Sequence, residues 1–152
     1  MTPLEERRQA LDKLTREALP LIKEVSVHTR KARKAMDEPV NTLVLSNELV
    51  ELAILNQRLG ERVAYANYLT RDTKNFYEET REEHKTRLVN EDGVAAGVAD
   101  SMKVKLSRAE FEVRNEAELL YERLQFLRKS TDKTIDAIRS KLSYEKGNER
   151  NA

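Results

Sequence analysis

An all-α fold is predicted by three features of the sequence. Glycine and proline are scarce, at 4 and 3 residues, while charged residues make up 36% and aromatics only 5%; long helices, not sheets, have this composition. Apolar side chains recur every three or four positions over two long stretches, the spacing of an amphipathic helix. The two stretches are of nearly equal length, and a short glycine-containing break separates them. Together these features predict a long antiparallel helical hairpin with an additional N-terminal helix.

The 152 residues suit one domain with a modest core. Three segments are expected within it: an N-terminal amphipathic segment at 1–36, the hairpin at 37–145 and a disordered polar tail at 146–152. The first segment opens on Thr2-Pro3-Leu4-Glu5. Thr2 can accept from a free backbone N–H, Pro3 suits the first helical position, and Glu5 completes a capping box. Leu4, Leu11, Leu14, Ala18 and Leu21 then recur at helical spacing. Pro20 is expected to kink or end this helix, with the pattern resuming through Ile22, Val25, Ala32 and Met36.

Asp37-Glu38-Pro39 is the next boundary, with Asp37 as the expected N-cap. Leu45, Leu49, Leu52, Leu55, Leu59, Val63, Ala66, Leu69, Thr73 and Phe76 follow, spaced by three or four residues. This predicts one helix from about Thr42 to Val89, roughly 70 Å long. Gly60 within it costs about 1 kcal/mol relative to alanine. Asn90-Glu91-Asp92-Gly93 ends it, with Gly93 able to adopt a left-handed conformation. A second helix is expected through Val98, Met102, Leu106, Ala109, Val113, Glu116, Leu120, Leu127, Thr131, Ile135, Ile138 and Leu142, with fraying from Glu145.

The apolar stripe is narrow, and Asn56, Thr73, Glu116 and Thr131 interrupt or border it. A hairpin with so thin a seam buries little surface alone. It calls for the N-terminal helix and for further copies of the chain, in a coiled-coil-like homo-oligomer.

The formal net charge of +1 hides an uneven layout. From Lys23 to Lys34 there are five cations against Glu24 alone, and from Arg123 to Arg150 eight against four acidic residues. The middle carries the acid. Such segregation can attract phosphate locally, although long solvated helices also carry patches of this kind.

Motifs for catalysis and cofactor binding are missing from the sequence. Cysteine is absent, which removes disulfides and thiolate zinc sites. The Glu-x-x-His spacing of a di-iron bundle fails at both histidines, because Val25 precedes His28 and Arg81 precedes His84. Neither a nucleophile elbow nor a glycine-rich phosphate loop occurs. Adjacent pairs such as Glu78-Glu79 diverge by about 100° on a helix and read as solvated surface. The reading is a non-enzyme with no metal and no cofactor. No apolar run approaches the roughly 18 residues that span a bilayer, and the start lacks an apolar signal region, so a cytoplasmic location is expected.

Binding chemistry is more promising. Tyr65, Tyr68 and Tyr77 share a helix with Arg62, Arg71 and Lys74. Exposed rings of this type can stack bases, and Arg71 and Lys74 are candidate DNA contacts on that ground. Tyrosines at stripe edges are also ordinary packing groups with a wet hydroxyl, whereas Phe76 fits the core stripe. Lys85 and Arg87 lie near the end of the same helix, pointing about 200° apart. They offset the negative helix end or grip a phosphate row.

Lys85-Thr86-Arg87-Leu88, the glycine-containing break after it and the segment Ile135-Asp136-Ala137-Ile138-Arg139-Ser140-Lys141 resemble phage recombination mediators of the UvsY type. The resemblance covers about residues 45–145 and is strongest in the Asp-Ala-Ile-Arg-Ser segment. It implies that Lys85 and Arg87 contact single-stranded DNA, and that Ile135, Ile138 and Leu142 pack subunits into a ring-like homo-oligomer. The partners it implies are a strand-exchange recombinase and a single-strand-binding protein, and the location is the host cytoplasm if the chain is phage-encoded. The expected function is therefore a single-stranded-DNA-binding recombination mediator. The alternative is a coiled-coil structural or adaptor protein, such as a phage scaffold or assembly chaperone, with no affinity for nucleic acid. A duplex-binding regulator ranks last, because no helix-turn-helix is recognisable.

Overall fold

Thr2 and Glu5 close the first helical turn from both sides. The Glu5 amide donates to Thr2 Oγ1 at 3.2 Å, and the Thr2 amide donates to Glu5 Oε2 at 2.7 Å. From this capping box the computed structural model, which describes all residues Met1–Ala152, runs through four helices and no strand: α1 (Pro3–Met36), α2 (Thr42–Asn90), α3 (Ala96–Leu106) and α4 (Arg108–Asn151). No helix is long and apolar enough to cross a membrane.

Several boundaries differ from the sequence reading. Pro20 does not end α1; Ala18 and Leu21 on either side of it are buried, and packing of that face outweighs one lost backbone hydrogen bond. The N-cap of α2 is Asn41 rather than Asp37, its Oδ1 accepting from the Val44 amide at 3.1 Å. α2 ends as expected. Gly93 has φ +66°, and the Val94 amide reaches back to the Leu88 carbonyl at 2.9 Å. The second long pattern is two helices, divided at Ser107, whose amide still donates to the Lys103 carbonyl at 3.1 Å. The polar residues after Glu145 continue α4 to Asn151 instead of fraying. Only Gly147 opposes the helix there, and proline is absent.

The chain forms two compact units, each drawing on α1, α2 and α4. One comprises Met1–Leu14 and Ala64–Glu122. Its apolar centre is Leu11, Val113 and Ala117, with Leu4 and Leu120 packed against them. Arg7 joins α1 to α2 through an ion pair with Asp72 at 2.8 Å and lies 4.1 Å over the ring of Phe76. Phe76 is half-buried beneath the Arg7 guanidinium, and its neighbour Tyr77 takes the buried place, 5.5 Å from the ring of Phe111. The same one-residue shift occurs in α3. Val98, Met102 and Leu106 are exposed, while Ala99 and Lys103 are buried, as is Ser107 after them.

The other unit comprises Thr15–Val63 and Arg123–Ala152. Ala32 and Ala35 of α1, Leu45 and Leu52 of α2, and Ile135 and Ile138 of α4 form its core, with Leu142 packed at the edge. α1 thus supplies the third wall that a two-helix seam lacks. Polar ties cross between helices at Asn56 Nδ2 to Asp132 Oδ1, 2.5 Å, and at Arg62 to Glu17, 2.6 Å.

Candidate nucleic-acid surface

Positions three apart on a helix are surface neighbours, their Cβ atoms about 5–6 Å apart. In α2 the residues 65, 68, 71 and 74 form one such row: Tyr65, Tyr68, Arg71 and Lys74. The two tyrosines are 41% and 61% exposed. Their rings lie 6.1 Å apart at 17° to one another, an open stacked pair. Beside them is a groove of about 290 Å³ lined by Glu6, Arg7, Ala10, Tyr65, Tyr68, Leu69 and Asp72. Arg71 and Lys74 are exposed and belong to none of the ion pairs in the structure. Asp72, the nearest carboxylate in sequence, is committed to Arg7.

Tyr77 does not join this row. It is 5% exposed, and Arg81 and Arg114 lie over its ring at 5.2 and 5.6 Å.

Lys85 and Arg87 occupy a different setting. Lys85 Nζ sits 2.9 Å from Asp100 Oδ1. The same carboxylate oxygen is 3.1 Å from Nζ of Lys103, which also reaches Glu82 Oε1 at 2.8 Å. Hydrogen bonding from Lys103 holds Glu82 below the usual carboxylate range. Hydrogen bonds from Lys85 and then Lys103 do the same for Asp100, and the bond to Glu82, followed by that to Asp100, raises Lys103. This network ties α3 to the last turns of α2. Arg87 is exposed in a groove that also holds Glu79, Glu82, Glu83 and Glu91. The structure therefore does not gather Lys85 and Arg87 on one face: the first is engaged by Asp100, and the second stands among carboxylates.

The three subunit-packing candidates are likewise used within the chain. Ile135 and Ile138 are 5% and 0% exposed, and Leu142 packs against the same core. Within the single chain that face is already covered by Ala32 and Ala35 of α1. An exposed seam exists elsewhere. Leu43, Val50 and Ile54 of α2 are 72%, 58% and 44% exposed, and with exposed Asn47 they follow a 4-3-4 spacing on one helix face. Sequence reading passed over this second stripe because the buried stripe on the same helix is longer. Its heptad spacing was the available signal.

No group of three or more His, Cys, Asp or Glu side chains is placed to hold a metal ion. No protein-family model, curated protein or solved structure matches the chain.

Proposed function

We propose that this chain is a self-associating, single-stranded-DNA-binding recombination mediator, working by binding rather than catalysis. The observation that carries the proposal is the pair Arg71 and Lys74, exposed and free of ion pairs on α2. In a protein with a net charge of +1, uncommitted neighbouring cations are what a phosphate backbone would meet first. The resemblance to UvsY-type mediators supports the same reading. Arg87 is a further contact on that resemblance, and Lys85 joins it when Asp100 is displaced.

Pairing within each unit supports an antiparallel hairpin with α1 as a third helix. In one unit the Thr70 hydroxyl lies 3.2 Å from the Ala117 carbonyl and Tyr77 packs against Phe111; in the other Asn56 meets Asp132 and Gly60 faces Arg128. A higher position on α2 thus faces a lower one on α4. The exposed stripe Leu43, Asn47, Val50 and Ile54 supports coiled-coil-like self-association. In this register Leu43 and Val50 take d positions, while Asn47 and Ile54 take a positions, and a polar residue at a specifies register. Several copies then multiply one weak phosphate contact into useful avidity. In the cytoplasm such an assembly would present the strand to a recombinase as a single-strand-binding protein is displaced.

A structural adaptor is the second reading. The exposed Val98, Met102 and Leu106 of α3 offer a face for another protein's helix. Binding of the full chain and of R71A/K74A to a labelled oligo-dT separates the readings. The mediator predicts binding with a log–log salt slope of about −0.7 per phosphate neutralised. The double variant should bind more weakly, its slope shallower by up to about 1.4. The adaptor predicts no binding even at low salt.

A further inference from the structure

The row Tyr65, Tyr68, Arg71 and Lys74 joins two chemistries that single-stranded nucleic acid needs together. A flexible strand offers unpaired bases with apolar faces and a chain of phosphates. A sequence-tolerant site meets these with aromatic rings and cations respectively. Here both kinds of group follow one another at three-residue steps, each about 4.5 Å along the helix axis and about 60° around it, so the row winds across the exposed side of α2. The next steps of the row are Arg62, which is paired with Glu17, and Tyr77, which is buried, and they limit it to that span.

Resting on the mediator reading, we infer that Tyr65 and Tyr68 form a base-stacking platform for single-stranded DNA, with Arg71 and Lys74 holding the adjoining phosphates. Three observations carry the inference. The rings are already aligned, at 6.1 Å and 17°, so a base added to the stack does not have to order them first. Both tyrosines remain substantially exposed, whereas Tyr77, twelve positions after Tyr65 on the same helix, is buried with its ring faces occupied by Arg81 and Arg114. The groove beside the pair, about 290 Å³, is open to solvent and can admit the edge of a planar heterocycle. Arg7 in its wall is neutralised by Asp72, so the groove favours a base over a phosphate. The phosphates pass instead to the free cations further along the row.

The test compares two probes of equal length and charge: oligo-dT and a strand of abasic sites that keeps the sugar-phosphate backbone. The full chain should bind oligo-dT more tightly than the abasic strand. Y65A/Y68A should lose roughly 10- to 100-fold in affinity for oligo-dT and bind the abasic strand as the parent does. Y65F/Y68F, which keeps the rings, should retain the parent's affinity for both strands. R71A/K74A should weaken both strands alike. If the parent binds oligo-dT and Y65A/Y68A binds it equally well, the platform is overturned while the mediator reading stands. If the parent binds neither strand, both fall.

Discussion

Nδ1 of His28 lies 2.5 Å from Oε2 of Glu48, a carboxylate that is buried while the imidazole keeps partial contact with solvent. The contact joins α1 to α2 inside the unit that contains Leu45 and Ile138. Removing one partner of a buried polar pair leaves the other desolvated and unsatisfied, at a cost of roughly 1–3 kcal/mol. His28→Ala should therefore lower the unfolding free energy by about that amount, seen as a lower urea midpoint at unchanged slope. Replacing both residues, as in H28L/E48L, should recover most of the loss, because neither polar group is then stranded. A single variant as stable as the parent would show that the contact contributes nothing.

The network of Lys103 with Glu82 and Asp100 predicts a defined acid response. Both carboxylates are held below their usual range by hydrogen bonds from lysines, Lys103 for Glu82 and Lys85 ahead of Lys103 for Asp100. Their contribution is thus fully present above the ordinary carboxylate range and is lost as pH falls through the lowered values. Lys103 is shifted upward, so its contribution holds below the ordinary lysine range and is lost only as pH rises through the raised value. Amide protection in α3, taken relative to the intrinsic exchange rate at each pH, should fall in acid before that of α2 around Leu69. Lys103→Met, which keeps the buried chain and removes the ammonium, should remove the Glu82 part of this acid dependence and leave the part that Lys85 gives Asp100. Unchanged protection of α3 in the parent from neutral pH to below the carboxylate range would contradict it.

The exposed seam on α2 gives a test of self-association. Val50 and Ile54 are 58% and 44% exposed, so V50E/I54E should fold with unchanged helicity. It should shift the chain towards single copies at concentrations where the parent associates, because charges at a and d positions oppose helix pairing. Sedimentation velocity at matched concentrations reads the difference. An unaltered distribution in the variant would place the contact elsewhere.

Much of the fold was legible because it is local. Thr2 and Glu5, the run from Leu45 to Leu69, and Gly93 each act through neighbours within a few residues, and the structure places them as their spacing implies. What the spacing missed was decided at long range. In α3 the larger apolar residues Val98, Met102 and Leu106 look like the inner face. The structure buries Lys103 instead because Glu82, twenty-one positions away, accepts from its ammonium. Tyr77, not Phe76, continues the four-residue step of Leu69 and Thr73 into the buried face, while Arg7, from the start of α1, covers the phenylalanine ring. Gly60 reads only as a helix cost, yet a side chain there would meet the guanidinium of Arg128 at 3.2 Å. The candidate site was half legible. Arg71 and Lys74 are exposed and unpaired, but the engagement of Lys85 by Asp100 depends on the fold of α3 against α2. Likewise, no periodicity reveals that α1 covers Ile135 and Ile138.

Light scattering of the full chain, alone and with a short oligo-dT in dilute buffer, tests most directly whether self-association and strand binding coexist in this protein. The account predicts a mass that is a multiple of the 17.6 kDa chain and increases by bound oligonucleotide when the strand is added. A mass of one chain, unchanged by the strand, would contradict it.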